Sequence, residues 1–314
     1  MLINPTISSV PRVDISTLTP DAFRQRYQQT GTPVVITGLL ENEPDWTLNY
    51  LCAKIGDREF MVRNYERANY NSGEAKHSRV GSGVALETMR FSDYAELLRR
   101  GEVQENDLYL GKAPLKTTPL TQTSTWKTLG DKLGLTQPVT NFKMYLGSGS
   151  HRSGLHYDIL DNTLIQLHGV KKIILFPPSQ TYNLYPFPIL GHLRHGMKLR
   201  CCFSQVSLDD PDFDTFPKLK PALEHKQEVI IERGETLYLP AGWWHDVSGI
   251  DNTMMCSVNR FWRIYPARRA LLNWERWRSI LGVVCAIPYI GSNLITALVQ
   301  PHPQSTIRQI LYRI

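Results

Sequence analysis

Two stretches of the sequence carry residue types that bind metals in proteins. In the first, His156 and Asp158 are separated by one residue, so on a β-strand their side chains lie on the same face. In the second, His245 follows a Pro-Ala-Gly turn and two tryptophans, which predicts a position at the mouth of a sheet. Each stretch alone has an ordinary alternative, a solvated strand or a histidine hydrogen-bonded in the core. Together, two imidazoles and one carboxylate leave three positions open on Fe(II), whereas structural zinc prefers four ligands.

A lysine pair is the candidate for a second charged group in the same site. Lys171 and Lys172 open an apolar run, and the alternation of a strand turns one of them inward. A buried lysine without a partner is costly, and an acid bound to the metal would supply the partner. A solvated lysine on an edge strand is the alternative, and these residues alone leave both interpretations open.

The elements that must position these side chains are short strands. Between residues 140 and 264, strand-like runs alternate with glycine and proline, and we expect no helices between them. This pattern predicts an antiparallel sandwich or barrel. The predicted strands are Asn141–Leu146, Thr163–Leu167, Lys171–Phe176, Glu228–Ile231, Thr236–Leu239 and Thr253–Trp262, interrupted by a polar loop over 208–226.

Changes of pattern along the chain predict three parts. Residues 1–135 mix helix and strand signals, 136–265 form the β-rich core, and 266–314 return to a helical pattern. The core contains the candidate metal ligands, so we expect it to be the catalytic part, flanked by the first part.

The last part contains a long stretch without charge, from Ile280 to Val299. It is long enough to span a bilayer, but Pro288 and Gly291 interrupt its middle. We therefore predict two helices joined by a Pro-Tyr-Ile-Gly-Ser turn, the first over 267–286. Its apolar face would form a homodimer interface, with packing on the chain's own barrel as the alternative and no membrane association expected. The residues expected in that interface are Trp274, Trp277, Leu281 and Val284.

Composition excludes several broad classes. With 42% hydrophobic and 20% charged residues, the chain of 314 residues is typical of a globular protein rather than a disordered or fibrous one. Its formal net charge of +6 permits an anionic partner without requiring one. The five cysteines contain no Cys-X-X-Cys pair, which favours free thiols in a reducing compartment. No signal-peptide pattern is evident at the start, so we predict a cytoplasmic protein.

Several motifs, taken in combination, are specific. They are Thr32-Pro-Val-Val-Ile-Thr-Gly38, Ser153-Gly-Leu-His156-Tyr-Asp158, Asn162, Gln166, Gly169-Val-Lys171, Leu175-Phe-Pro-Pro178, Leu237-Tyr-Leu-Pro240, Gly242-Trp-Trp-His245 and Val258-Asn259. Over roughly residues 10–264 the sequence resembles the cupin-type JmjC oxygenases. It is most similar to the hydroxylases that act on asparagine, lysine or arginine side chains, and to the tRNA wybutosine hydroxylase.

The resemblance implies a fold and a metal. The fold is mainly β with α: a double-stranded β-helix of the jelly-roll, cupin type, with N-terminal α+β elements and C-terminal helices. The metal is Fe(II), bound by His156, Asp158 and His245.

The resemblance also implies that 2-oxoglutarate is the co-substrate. Lys171 would pair with its distal carboxylate, and Tyr109 and Ser153 would donate hydrogen bonds to that same carboxylate. Asn162 and Asn259 would line the co-substrate pocket. Such polar partners are what a buried carboxylate needs.

The function implied by the resemblance is that of a 2-oxoglutarate-dependent dioxygenase. It would hydroxylate an amino-acid side chain in a protein or peptide and release succinate and CO₂. Aspartate as the carboxylate ligand is typical of the family's hydroxylases, whereas its histone demethylases commonly carry glutamate. A tRNA-nucleoside hydroxylase of the same mechanism is the first alternative. A non-catalytic cupin-like binding module is the second, and the presence of all three metal ligands and of Lys171 disfavours it.

The charged surface says less about the substrate. A basic surface can meet RNA, an acidic protein segment or only solvent. We expect a protein or peptide substrate first, tRNA second and a free amino acid third, and no zinc-finger pattern predicts a DNA reader. The basic clusters are Arg58, Arg63, Arg67, Lys76 and Arg79, with Tyr65 and Tyr70 nearby, and Arg260, Arg263, Arg268 and Arg269.

Overall fold

A computed structural model describes residues 9–65, 84–123, 125–299, 303–304, 306–307 and 310 of the chain. Strands dominate the described part. In chain order they are β1 (Arg12–Asp14), β2 (Val34–Thr37), β3 (Glu59–Asn64), β4 (Ala85–Arg90), β5 (Leu108–Pro114), β6 (Lys143–Ser148), β7 (His156–Tyr157), β8 (Asp161–His168), β9 (Lys171–Phe176), β10 (Gln227–Ile231), β11 (Thr236–Leu239), β12 (Trp244–Gly249) and β13 (Met254–Trp262).

The strands form two sheets. The larger has the spatial order β1-β2-β11-β8-β13-β6-β5-β3-β4, and the smaller has the order β10-β9-β12-β7. From β6 onward the chain passes back and forth between the sheets, and the pairs among these strands are antiparallel. This is a double-stranded β-helix, and it confirms the predicted fold class. Strands of the N-terminal part extend the larger sheet at both edges.

The two sheets pack face to face through aliphatic side chains. Leu164 and Leu237 of the larger sheet and Ile173 and Val229 of the smaller one belong to a single buried cluster. Strand β8, which lies between β11 and β13, is buried along nearly its whole length, as expected for a central strand. This rigid interior gives the site a fixed frame.

Strand β9 shows how the alternation of a strand sorts two identical residues. Lys171 points inward and is 2% exposed. Its neighbour Lys172 points outward, where its Nζ lies 2.8 Å from a carboxylate oxygen of Glu228 on β10. Of the two candidates, Lys171 is therefore the buried one.

Helices fill the connections and the C-terminus. They are α1 (Pro20–Phe23), α2 (Leu48–Ile55), α3 (Phe91–Arg99), α4 (Glu102–Glu105), α5 (Leu120–Thr123), α6 (Leu129–Leu133), α7 (His192–His195), α8 (Leu219–Leu223), α9 (Ala267–Leu272) and α10 (Trp274–Leu298). The expectation of no helices between residues 140 and 264 was wrong. The connection from β9 to β10 contains α7, α8 and the 3₁₀ segments Pro178–Leu184 and Ile189–Gly191, which are too short to show a clear helical period.

The predicted break in the C-terminal helix was also wrong. Helix α10 continues through Pro288, and the break comes earlier, at Asn273, which caps α10 by accepting a hydrogen bond from the Arg276 N–H at 2.7 Å. Pro288 is on the exposed side of α10, where water can hydrogen-bond the Val284 carbonyl that lacks its helical donor. By length and apolar composition α10 could cross a membrane, and 17% of that stretch is buried in the fold.

Candidate metal and co-substrate site

The three predicted metal ligands come together at one end of the smaller sheet. Potential ligand atoms of His156, Asp158 and His245 all lie within 4.8 Å of one another. His245 Nε2 is 3.7 Å from Asp158 Oδ2, and the centres of the two imidazole rings are 4.2 Å apart. This spacing suits three ligands that converge on one ion.

Strand pairing and one turn produce this convergence. His156 on β7 and His245 on β12 are directly opposite each other in the antiparallel register, which brings their side chains together on one face. Asp158 follows β7, and its backbone carbonyl accepts a hydrogen bond from the Gly242 N–H at 2.8 Å. Gly242 has φ +85°, so the turn before β12 needs a glycine there.

Both imidazoles are oriented by backbone carbonyls. His156 Nδ1 lies 2.8 Å from the Gly154 oxygen, and His245 Nδ1 lies 3.0 Å from the Trp243 oxygen. Each ring can donate from Nδ1 and leave Nε2 for a metal, as metal-binding histidines commonly do. Burial and the neighbouring His245 lower the pKa of His156 to about 4, so its ring is neutral at pH 7, the form that binds a metal.

Lys171 is buried between the sheets with one hydroxyl partner. Its Nζ donates to Ser257 Oγ on β13 at 2.6 Å. Burial lowers the pKa of Lys171 to about 8, because the charged amine loses its hydration there, and no carboxylate among the described residues pairs with it. An acid with its carboxylate at Lys171 would supply that charge.

The remaining predicted co-substrate residues lie around the same space. Asn162 Nδ2 donates to Asp158 Oδ2 at 3.4 Å. Asn162 Oδ1 and Asn259 Oδ1 are buried and have no hydrogen-bond partner among the described residues. Such orphaned polar atoms are what a polar ligand or ordered water satisfies.

Tyr109 and Ser153 have local partners of their own. The Tyr109 ring stacks on His151, with ring centres 3.8 Å apart, and burial raises the pKa of its hydroxyl well above the ordinary value, so the hydroxyl keeps its proton. Ser153 Oγ accepts from the Val247 N–H at 3.0 Å and lies 3.3 Å from the Gly154 oxygen. Ser153 therefore ties the ligand-bearing segment to β12.

One cavity of about 800 Å³ joins all of these groups, and we call it the central cavity. Every predicted site residue lines it: Tyr109, Ser153, His156, Asp158, Asn162, Lys171, His245 and Asn259. Sequence reasoning missed other lining residues, including Ser257, Tyr145 and Lys112. Ser257 had a usable signal, because it precedes Asn259 by two positions and so shares its face of β13.

Asn273 and Glu275, at the start of α10, hydrogen-bond to the segments next to the metal ligands. Asn273 Nδ2 donates to the Ala241 carbonyl at 3.1 Å, near the turn before His245. Thr181 Oγ1 accepts from Trp244 Nε1 at 2.9 Å and donates to Glu275 at 2.7 Å. The start of α10 is thus part of the frame that holds the site.

The described members of the basic clusters lie in different environments. Arg269 makes a buried ion pair with Asp161, and the Arg260 guanidinium stacks 4.5 Å from the centre of the Phe142 ring. Arg63 and Tyr65 line the central cavity. The predicted members Arg67, Tyr70, Lys76 and Arg79 lie outside the described residues.

The fold and site define a cupin-type protein with a two-histidine, one-carboxylate centre and a buried lysine nearby. A family profile described as "Cupin-like domain" matches residues 20–268, and the chain belongs to this family, in its JmjC branch. This confirms the resemblance inferred from the motifs.

The relatives of this chain are named for different activities. Lysine-specific demethylase JMJ30 of Arabidopsis thaliana is 29% identical over 262 residues, 79% of this chain and 53% of that protein. Lysine-specific demethylase JMJ31 of the same plant is 27% identical over 188 residues, 58% of this chain and 32% of that protein. The human tRNA wybutosine-synthesizing protein 5 is 34% identical over 113 residues, 36% of this chain and 30% of that protein. The chain thus spans about a third to a half of these relatives.

Proposed function

We propose that the protein is an Fe(II)- and 2-oxoglutarate-dependent dioxygenase that hydroxylates an amino-acid side chain in a protein or peptide, with release of succinate and CO₂. The observation that carries this proposal is the shared cavity. A converging triad of two imidazoles and one carboxylate opens into the same space as a buried lysine, for which the described part of the chain provides no counter-ion. A metal site alone would not need that lysine.

The residues divide the work between metal and co-substrate. His156, Asp158 and His245 would hold Fe(II), which activates dioxygen and couples decarboxylation of 2-oxoglutarate to oxidation of the substrate. Lys171 would hold the distal carboxylate, and the Tyr109 hydroxyl is a further donor in the same cavity. The carbonyls of Gly154 and Trp243 fix the imidazole orientations.

The proposed activity is tested with the purified protein and defined additives. Succinate formation should require both Fe(II) and 2-oxoglutarate. Mn(II) should quench the intrinsic fluorescence of the protein as it binds. 2-Oxoglutarate should bind the Mn(II)-loaded protein more tightly than the metal-free protein. A protein that binds Mn(II) but shows no affinity for 2-oxoglutarate would contradict the dioxygenase assignment and favour a binding module.

A tRNA-nucleoside hydroxylase is the second candidate. It is favoured by the similarity to tRNA wybutosine-synthesizing protein 5, and Tyr65 in the cavity wall provides a ring on which a base could stack. Mass spectrometry of proteins and of digested tRNA, from cells with and without the gene, separates the two substrates. An added oxygen found only in the tRNA fraction would replace the peptide proposal.

We further propose that the protein acts as a cytoplasmic homodimer. All five cysteines are in the described residues and all are free thiols, which suits a reducing compartment. Trp277, Leu281 and Val284 of α10 are exposed, so an apolar face is available for a second copy. Fractionation with a fluorescent fusion tests the location, and sedimentation tests the association.

A further inference from the structure

Strand β5 contains an irregularity in the wall of the central cavity. Its pairing with β6 shifts register between Leu110 and Ala113. Within this bulge, Lys112 has φ +63°, in the left-handed region that residues with a side chain rarely adopt. Bulges re-aim side chains, and strained residues of this kind collect at ligand sites.

The bulge directs Lys112 into the cavity. Its side chain lines the central cavity together with the metal triad and is accessible to solvent there. Surrounding protein, and then the cations Arg200 and Arg63, lower the pKa of Lys112 to about 8. Among the residues that the structure describes, Lys112 takes part in no hydrogen bond or ion pair, so its ammonium group is available to an incoming anion.

Lys112 and Lys171 occupy different environments in this cavity. Lys171 is enclosed between the sheets and bonded to Ser257. Lys112 is exposed on β5, close enough to the Asp158 carboxylate to sense its charge. Lys171 therefore suits the co-substrate, and Lys112 suits the primary substrate, which enters after it.

The charges around Lys112 indicate what kind of anion fits. Asp209 and Asp210 line the same cavity, and Asp209 is paired with Arg152. Arg152 also pairs with Asp246, so one cation faces two carboxylates here. A polyanion, whether a phosphate backbone or a run of acidic side chains, would therefore meet repulsion beside attraction. A single carboxylate on a short side chain can reach Lys112 without passing along an anionic wall.

We propose that Lys112 binds a carboxylate of the primary substrate, a single aspartate or glutamate near the hydroxylated residue of a peptide. This inference rests on the proposed peptide hydroxylase function and adds its substrate class. A cationic target such as a methylated lysine would be repelled by Lys112 and its neighbouring arginines.

The test compares variants that keep the backbone of the bulge. Lys112→Gly removes the amine, and glycine adopts φ +63° without strain, so the fold is preserved. Lys112→Arg keeps the charge. Lys116→Ala is the matched control, because Lys116 is an exposed lysine of the same segment and is not among the residues lining the cavity.

The probes are a fluorescein-labelled Gly-Ser repeat peptide of ten residues with one central Glu, the same peptide with Lys or Ser in place of that Glu, and a ten-nucleotide uridine RNA. Anisotropy is measured on protein loaded with Mn(II) and the inert analogue N-oxalylglycine, at about 0.15 M salt. We expect the Glu peptide to bind most tightly to the wild type. Lys112→Gly should weaken it about tenfold or more, since a charge-assisted bond is lost, while Lys112→Arg and Lys116→Ala should leave it within about twofold.

Two results would overturn the inference. One is a Glu-peptide affinity that is equal in wild type and Lys112→Gly. The other is RNA that binds more tightly than the Glu peptide and depends on Lys112, which would identify the anion as a phosphate. A wild type that binds neither Mn(II) nor 2-oxoglutarate would instead overturn the proposed function. The peptide titration, repeated on wild type and Lys112→Gly without these additives, would then decide on Lys112.

Discussion

The central cavity and the outer face of α10 both reverse the usual distribution of side chains, in opposite directions. The cavity buries charged and polar groups, such as Lys171 at 2% exposure. The helix exposes large apolar groups, such as Val284 at 55%. The buried groups converge on one point and so specify a ligand atom by atom, whereas the exposed groups only form a surface. A reversal inside the fold is therefore far more informative than one outside.

The two regions are joined by the same helix. The buried side of α10 is polar or small: Glu275, Arg278, Gly282 and Ala286. At Gly282 a Cβ atom would lie 2.7 Å from His192 Nε2, so only glycine lets the helix approach this closely. Helix α10 thus presents its polar side to the loops behind the metal ligands and its apolar side to the outside, the reverse of an ordinary surface helix.

The largest effect should come from removing a metal ligand. His156→Ala should lower Mn(II) affinity by more than about a hundredfold, since even partners of metal ligands contribute 10- to 100-fold, and should abolish succinate formation. Calorimetry with Mn(II) and a succinate assay measure this. His225→Ala is the control, because His225 is exposed. Unchanged metal affinity in His156→Ala would show that the buried groups of the cavity do not converge on a metal ion.

The next effect concerns the buried lysine. Lys171→Ala should weaken 2-oxoglutarate binding by about 2–4 kcal/mol, because the distal carboxylate would be left unpaired in a buried position. Titration of Mn(II)-loaded protein provides the affinity. Lys172→Ala, which changes an outward residue on the same strand, should have little effect. The opposite ranking of these two variants would show that Lys172, not Lys171, contacts the co-substrate.

A smaller effect should follow from pH. Burial lowers the pKa of Lys171 to about 8, and a bound carboxylate favours the charged amine. Binding must therefore take up a proton above that pH, so 2-oxoglutarate affinity should fall by up to about tenfold per pH unit above 8. Between pH 6.5 and 8 the amine is already charged, and affinity should change little. Lys171→Arg stays charged, so its 2-oxoglutarate affinity should not depend on pH in this range. A wild-type affinity that stays constant up to pH 10 would contradict this prediction.

The sequence allowed the fold class to be predicted because the motifs are specific in combination, and the side chains that these motifs single out lie around one cavity. It did not allow two of the strands that carry the site to be predicted. Strand β7 has only two residues and β12 carries polar residues and glycine, so neither shows a strand pattern; pairing with the predicted strand β9 and with each other forms them. Tertiary pairing overrode local propensity.

The left-handed Lys112 had no sequence signal either. Gly111 is a weak bulge signal in this strand, but nothing in the run Leu110-Gly-Lys-Ala113 indicates that the left-handed residue is Lys112, because the register of β5 depends on its partner β6. The predicted break in α10 was wrong for another reason: Pro288 lies on the exposed side of the helix, where water can satisfy the carbonyl that has lost its donor, so the proline does not end the helix.

The outer face of α10 gives the smallest expected effect on the fold and the sharpest test of its role. Val284→Glu changes an exposed side chain, so the free energy of unfolding should change by no more than about 0.5 kcal/mol. In a two-fold interface the same change brings two buried charges together, and the dimer should dissociate. Sedimentation velocity at micromolar concentration and thermal unfolding measure the two quantities. Ile250→Glu is the matched control, because Ile250 is 53% exposed in the turn between β12 and β13 and should leave the dimer intact. A monomeric wild type would show that a second copy does not cover this face. A wild type that needs detergent to remain in solution would indicate that lipid covers it instead.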